Sequence, residues 1–284
     1  MELVPRLEQL VETLSNLLPP THTLDWTAQA FRWRRKIVLG TSVAWLEAVH
    51  HPHGIRLADL HNIEPQKAEI ARNTRQFVQG RPANNVLLTG ARGTGKSSLV
   101  KAAFNEFADQ GLRLVEVDKD DLVDLPELVA LLAPRSERFI VFCDDLSFED
   151  GERGYKALKS VLDGGIAATP DNVLVYATSN RRHLLPEYFD ENARTRHVDG
   201  EVRPADAVEE KISLSERFGL WLSFYPFSQN DYLRAARYWL QSLGVSDWNE
   251  ALERDALNWA LGRGSRSGRV AWQFARDEAG RRQI

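Results

Sequence analysis

Gly90, Gly95, Lys96 and Ser97 stand at the spacing G-x-x-x-x-G-K-[ST] inside the stretch VLLTGARGTGKSS. Glycines at 90, 93 and 95 reach backbone angles closed to other residues. The run Gly90-Ala91-Arg92-Gly93-Thr94-Gly95-Lys96-Ser97-Ser98 can therefore wrap a polyphosphate. Its amide N–H groups, and the positive end of a helix that follows, then face the anion. Lys96 reaches the β- and γ-phosphates as a compact point charge, and Ser97 offers its hydroxyl to Mg²⁺. A second group of candidates is Asp144 and Asp145, which close the apolar run Phe139-Ile140-Val141-Phe142-Cys143. Carboxylates at the carboxyl end of a strand in a doubly wound sheet point toward the ligand. Asp144 is then the Mg²⁺ holder, through water or Ser97, and Asp145 the group that polarises an attacking water. Asn180 ends the next apolar run, and its amide can orient water against a γ-phosphate. Arg181 and Arg182 follow it, facing the phosphates, a neighbouring subunit or solvent.

These side chains need elements to hold them. Val86-Leu87-Leu88 reads as a buried strand, and Leu99, Val100, Ala103, Phe104 and Phe107 recur at helical spacing. Strand, glycine-rich loop and helix in that order give the motif the setting its chemistry requires. Further strands are expected at Leu112–Val117, Phe139–Cys143, Val173–Thr178 and Leu220–Phe224. A helix is expected from Gln66 to Val78, ending at Gly80-Arg81-Pro82, and a shorter one from Leu125 to Leu132. Three helical stretches close the chain: Gln229–Leu243, Trp248–Leu261 and Ser267–Ala279.

Before the first strand, Leu3, Leu7, Leu10, Val11, Leu14, Leu17 and Leu18 mark one face of a helix closed by Pro19-Pro20. Asp25 to Ala48 reads as a second helical region. It interleaves Arg32, Arg34, Arg35 and Lys36 with Trp33, which is read as a solvated face rather than a nucleic-acid site. His50, His51 and His53 lie beside Pro52 and Gly54, without a nearby carboxylate or cysteine, and are read as a loop rather than metal ligands. Residues 190–212 are charged, with Gly200 and Pro204, and read as a surface excursion.

Composition bounds the class. A chain of 284 residues makes one large or two modest domains. The net charge of −4 gives no overall pull toward nucleic acid. A single cysteine, Cys143, excludes an intramolecular disulfide framework and suits a reducing cytosol, so a cytoplasmic location is expected. No uninterrupted apolar stretch is long enough to insert in a bilayer, and the N-terminus lacks a signal-peptide layout.

Taken together, NVLLTGARGTGKSSLVKA, FCDDLSF, ATSNRRHLLPEYF and EEKISLSERFGLWLSFYPF resemble the AAA+ ATPases. Within them they resemble a bacterial family of predicted AAA+ ATPases whose cellular role is uncharacterised. The resemblance covers about residues 57–284 and is weak for residues 1–55. It implies an α/β fold of the P-loop NTPase type, a doubly wound parallel five-stranded sheet. That sheet lies in residues 56–226, after an N-terminal helical region (1–55) and before a small all-helical lid (227–284). It also implies ATP and Mg²⁺ as cofactors, with adenine against Leu60 to Ile63. The activity implied is hydrolysis of ATP to ADP and phosphate. By the same resemblance Asn180 matches sensor 1. Arg217, in SLSERFG, matches the arginine finger that acts on a neighbour's γ-phosphate. Arg269 matches sensor 2, with Arg266 the alternative register. A homo-oligomer follows, six being the usual number, with a protein or nucleic-acid client to remodel or load.

Two departures stand out. The family usually carries Glu after the Walker B Asp, and Asp145 is one methylene shorter, which implies slow turnover or help from Glu149. The segment Asp118–Asp124 is acidic and lacks the aromatic grip of a threading pore loop, which argues against an unfoldase. Two rivals therefore stay open: an ATP-dependent scaffold or switch with little turnover, and a P-loop phosphotransferase acting on a small acceptor.

Overall fold

The central strands are apolar on both faces, as parallel strands sandwiched between helices must be. In the strand Arg138–Cys143 (β5), Phe139, Val141 and Cys143 point into one core and Ile140 and Phe142 into the other. The computed structural model describes residues 24–38, 40–148, 152–164, 170–181, 197–198, 201–202 and 214–282, together with Arg6 and Gln9.

The main sheet has seven strands. In chain order they are Ala30–Val38 (β1), Thr41–Val49 (β2), Val86–Gly90 (β3), Leu112–Val117 (β4), β5, Val173–Ser179 (β6) and, after a separate two-stranded pair at His197–Val198 (β7) and Glu201–Val202 (β8), Leu220–Phe224 (β9). Their spatial order is β2-β1-β4-β5-β6-β3-β9. All pairings are parallel except that of β1 with β2. Helices Glu64–Val78 (α1) and Lys96–Phe107 (α2) cover one face through Ile70, Phe77, Leu99 and Phe104. Helices Leu125–Leu132 (α3) and Arg153–Asp163 (α4) cover the other through Leu125, Leu128, Leu132 and Leu158.

The five parallel strands β4-β5-β6-β3-β9 are those expected. The two added strands correct the expectation of a helix over 25–48 and of an N-terminal helical region reaching residue 55. The chain forms a β-hairpin there, paired along nine residues and joined to β4 through Ala30–Arg32. The physical reason is a period of two, not 3.6: Phe31 and Trp33 are buried, while Arg32 and Arg34, which alternate with them, reach carboxylates. Arg32 pairs with Glu116 at 2.7 Å and Arg34 with Glu47 at 2.8 Å. Arg32 and Arg34 are thus answered by acids of the same sheet. The helix expected over residues 2–18 lies outside the described residues apart from Arg6 and Gln9, both helical. The surface excursion of 190–212 also lies outside them, except for β7 and β8.

The acidic segment after β4 is a 3₁₀ helix, Lys119–Asp124, and the hairpin is tied to it. Trp33 Nε1 donates to Asp124 at 3.3 Å, and Arg35 stands 3.6 Å from the same carboxylate.

Three helices form a C-terminal unit with its own core: Gln229–Ser242 (α5), Glu250–Gly262 (α6) and Gly268–Arg282 (α7). Their starts are written in the sequence. Ser228 and Asp231 form a reciprocal capping box for α5, and Asn249 caps α6. Among the described residues no helix is long and apolar enough to cross a membrane.

Candidate functional site

β3 delivers the chain to residues 90–95, and α2 begins at Lys96, so the loop sits at the carboxyl edge of the sheet with a helix N-terminus behind it. The glycines are used. Gly90 has φ +128°, and a Cβ there would run into the Phe224 carbonyl. Gly93 has φ +76°, and its Cβ would lie 2.7 Å from Ser267 Oγ. The backbone N–H of Arg269 donates to the Gly93 carbonyl at 3.4 Å. The turn leading into α7 therefore rests directly on the loop.

Lys96 is nearly buried. Its Nζ donates to the carbonyls of Gly90 and Ala91, both at 2.8 Å, and to Asn180 Oδ1 at 3.0 Å. Burial pushes its ammonium down to about 8, against the pull of Asp145 and Asp144 and with the push of Arg269 and Arg92. Ser97 Oγ donates to Asp144 Oδ1 at 2.6 Å. The Asn180 amide nitrogen donates to Asp145 Oδ1. Lys96, Ser97, Asp144, Asp145 and Asn180 thus form one connected polar cluster at the ends of β3, β5 and β6.

A cavity of about 720 Å³ opens over this cluster. Arg92 to Ser98 line it, together with Asp144, Asp145, Asn180 and Arg269. Gly90 lies beneath it, bonded through its carbonyl to Lys96. Ala91 lines a second cavity, together with Arg266 and Leu261. Of the two arginines at the start of α7, Arg269 faces the cluster and Arg266 does not. Arg217 is not at this cavity; its guanidinium pairs with Asp163 at the end of α4. His53 lines the cavity rim, whereas His50 and His51 are exposed. Glu149 and Arg182 lie outside the described residues.

The far end of the cavity is apolar and aromatic. Ile63 and Leu60 approach Gly95, and Trp239 and Trp272 meet edge to face at 4.6 Å. His61 lies there against Tyr238, with Nε2 buried and unpaired among the described residues, and burial holds its imidazole below the usual range. His61, Trp239, Trp272 and Thr178 line the cavity and were not singled out from the sequence. Only Thr178 left a usable signal, as the last hydroxyl before Ser179-Asn180 on a strand that points at the loop.

Among the described residues no group of three or more His, Cys, Asp or Glu could hold a metal ion. The donors beside Lys96 are a hydroxyl and carboxylates, all oxygen. That set suits Mg²⁺ shared with a phosphate and does not suit a softer metal in an all-protein cage. Cys143 is fully buried under the cluster, its thiol pushed up to about 12 by burial, which makes it a packing residue.

A family model described as "Protein of unknown function (DUF815)" matches residues 26–282. The chain belongs to the DUF815 family. No curated protein matches it by sequence. Solved structures do match the DUF815 chain in fold. A point mutant of RuvB from Thermotoga maritima aligns with TM-score 0.54 and 16% identity, over 78% of this chain and 64% of that one. The replication initiator DnaA bound to AMPPCP and single-stranded DNA aligns with TM-score 0.53 and 15% identity, over 78% of this chain and 63% of that one. AMPPCP-bound DnaA from Aquifex aeolicus gives 0.51 and 15%, over 81% and 70%. The DUF815 chain thus has the AAA+ type of fold, and it spans less than two thirds of the length of the RuvB and DNA-bound DnaA chains.

Proposed function

We propose that this protein binds ATP with Mg²⁺ in the cavity over Lys96 and hydrolyses it to ADP and phosphate. The observation that carries the reading is convergence. Lys96, Ser97, Asp144, Asp145, Asn180 and Arg269 come from four separate stretches of sequence and meet at one cavity. The amides of residues 91–97 cradle the β-phosphate, and Lys96 exchanges its carbonyl partners for phosphate oxygens. Ser97 and Asp144 are the residues that hold Mg²⁺, which when bound neutralises charge between the β- and γ-phosphates. Asp145 orients and polarises the attacking water, with Asn180 fixing its carboxylate. Arg269 reaches the γ-phosphate from the helical unit 227–284, which acts as a lid. The adenine lies against Leu60 to Ile63, where apolar and aromatic side chains line the far end.

Arg217 is assigned to a neighbour's site. It stands away from its own cavity, as a residue acting in trans must, and a guanidinium on a transferring phosphoryl group is worth about 10³–10⁵ in rate. A homo-oligomer in the cytoplasm, turning ATP hydrolysis into the remodelling or loading of a macromolecular partner, is the function this supports. Steady-state phosphate release tests it. Release should rise faster than linearly with protein concentration, lose that dependence in Arg217→Ala and vanish in Lys96→Ala. Unchanged release in Lys96→Ala removes the site assignment.

One observation favours a second reading, an ATP-dependent switch with little turnover. Asp145 is short, and its carboxylate is already engaged by Asn180. Tight ATP binding without phosphate release would establish that reading instead.

A further inference from the structure

We propose that Thr178 is the positioning residue that sets both acids of the site, an inference that rests on the ATP-binding reading above. Thr178 is 1% exposed and lines the cavity at the end of β6. Its single hydroxyl is used in both directions. It donates to Asp144 Oδ1 at 2.6 Å and accepts the backbone N–H of Asp145 at 2.9 Å. A hydroxyl offers one donor and two lone pairs, so it can do both, and valine, of the same shape, can do neither.

The consequence for Asp144 is orientation. Ser97 Oγ, Thr178 Oγ1 and the Asp145 N–H all converge on its Oδ1. Among the described residues every hydrogen bond to this carboxylate falls on that oxygen, so the carboxylate is fixed and Oδ2 is left for a cation or its water. The consequence for Asp145 is conformation. Asp145 has φ +52°, a left-handed backbone that a residue with a Cβ adopts at a cost. The turn is held at both ends by β6: Asp145 N–H to the Thr178 hydroxyl, Leu146 N–H to the Thr178 carbonyl at 2.7 Å, and Ser179 Oγ to the Leu146 carbonyl at 2.7 Å. The left-handed turn is what aims the short Asp145 side chain at Asn180. Thr178 therefore does for Asp145 what an extra methylene does elsewhere: it puts the carboxylate in place.

The test compares Thr178→Val, Thr178→Ser and Thr178→Ala in the full chain. Thr178→Val should lower kcat about 10²-fold, the usual effect of a misplacement of about 1 Å, and raise KM for the metal–ATP complex in step with its weaker hold on the metal. Thr178→Ser, which keeps the hydroxyl, should hold kcat within about threefold, and Thr178→Ala should follow Val. A second readout does not need turnover. Mn²⁺ titrated into protein with AMPPCP, followed by electron paramagnetic resonance, should bind about 10–100-fold more weakly in Val and Ala than in wild type or Ser. A loss in Ser as large as in Val would overturn the proposal, since packing of the methyl would then be what matters. So would Val or Ala variants that keep both kcat and Mn²⁺ affinity. Should Val fail to fold, the Ala–Ser comparison decides by the same criteria. Wild type that binds ATP without turnover leaves the Mn²⁺ readout in force. Wild type that binds neither ATP nor AMPPCP refutes the ATP-binding reading itself, and this inference with it.

Discussion

The state of the Lys96 amine makes a quantitative prediction about nucleotide binding. In the free site burial holds it at about 8, and the pull of Asp145 and Asp144 does not offset that burial. A triphosphate brings several negative charges into contact and returns the amine toward its ordinary value of about 10.5. Free Lys96 is therefore about nine-tenths charged at pH 7, half at pH 8 and about one-tenth at pH 9, while bound Lys96 is charged throughout. Binding ATP should take up about 0.1, 0.5 and 0.9 of a proton at those three pH values. Because only the ammonium binds the phosphates well, the affinity should fall about tenfold between pH 7 and pH 9. Calorimetric titration with ATP in two buffers of different ionisation enthalpy reads the proton uptake directly. Lys96→Arg, whose guanidinium does not lose its proton, should show no uptake at any of the three. Equal heats in the two buffers at pH 9, or a flat affinity from pH 7 to 9, would refute the reasoning. The same depressed value has a consequence for folding. Between about pH 8 and 10.5 the unfolded chain holds a proton that the native site has lost, so this group makes the nucleotide-free protein more stable as pH rises through that window.

Three further outcomes follow from packing around the site and the sheet edge. Gly93→Ala combines a left-handed strain of about 1–2 kcal/mol with a Cβ 2.7 Å from Ser267 Oγ, so it should push the start of α7 off the loop. Hydrogen exchange at 267–272 should accelerate and ATP affinity should drop; unchanged exchange there would contradict the contact. Arg269→Ala should weaken ATP binding or turnover at least about tenfold and Arg266→Ala by less than about twofold, measured side by side, because only Arg269 faces the charged cluster. The reverse ranking would move the assignment to Arg266. Trp33→Ala removes a buried indole and its bond to Asp124, and should cost about 3–5 kcal/mol in denaturant unfolding if the hairpin belongs to the core. A loss below about 1 kcal/mol would show the hairpin to be peripheral.

The loop and its acids were legible in the sequence because their chemistry fixes both residue type and spacing. The places of Gly90 to Ser97 between β3 and α2, and of Asp144 at the end of β5, could be read from the runs themselves, since an apolar strand before and a helical pattern after leave the loop one position. The strands β3 to β6 and β9 were legible for a related reason: a strand buried on both faces must be apolar throughout. The hairpin was not. Its buried side chains alternate with arginines, and the same arginines and tryptophans fit a helix with a basic face. The acids that select the strand, Glu116 and Asp124, lie about 90 residues further on, and only tertiary pairing brings them to Arg32 and Trp33. Thr178 and His61 were missed for the complementary reason. A lone histidine carries no signal, and a threonine at a strand's end does not name its partners; the contacts appear only when Tyr238 or Asp144 is placed beside them.

The central claim is that one chain holds the nucleotide and its neighbour supplies Arg217. Mixing the two inactive variants tests this most directly. Lys96→Ala keeps Arg217 but cannot hold ATP, and Arg217→Ala holds ATP but offers nothing to its neighbour. Co-assembled in equal amounts and at random, they should regain about a quarter of wild-type phosphate release, from the interfaces where an intact site meets an intact arginine. Co-assembled particles that stay as inactive as the separate variants, or an Arg217→Ala protein that is fully active alone, would contradict it.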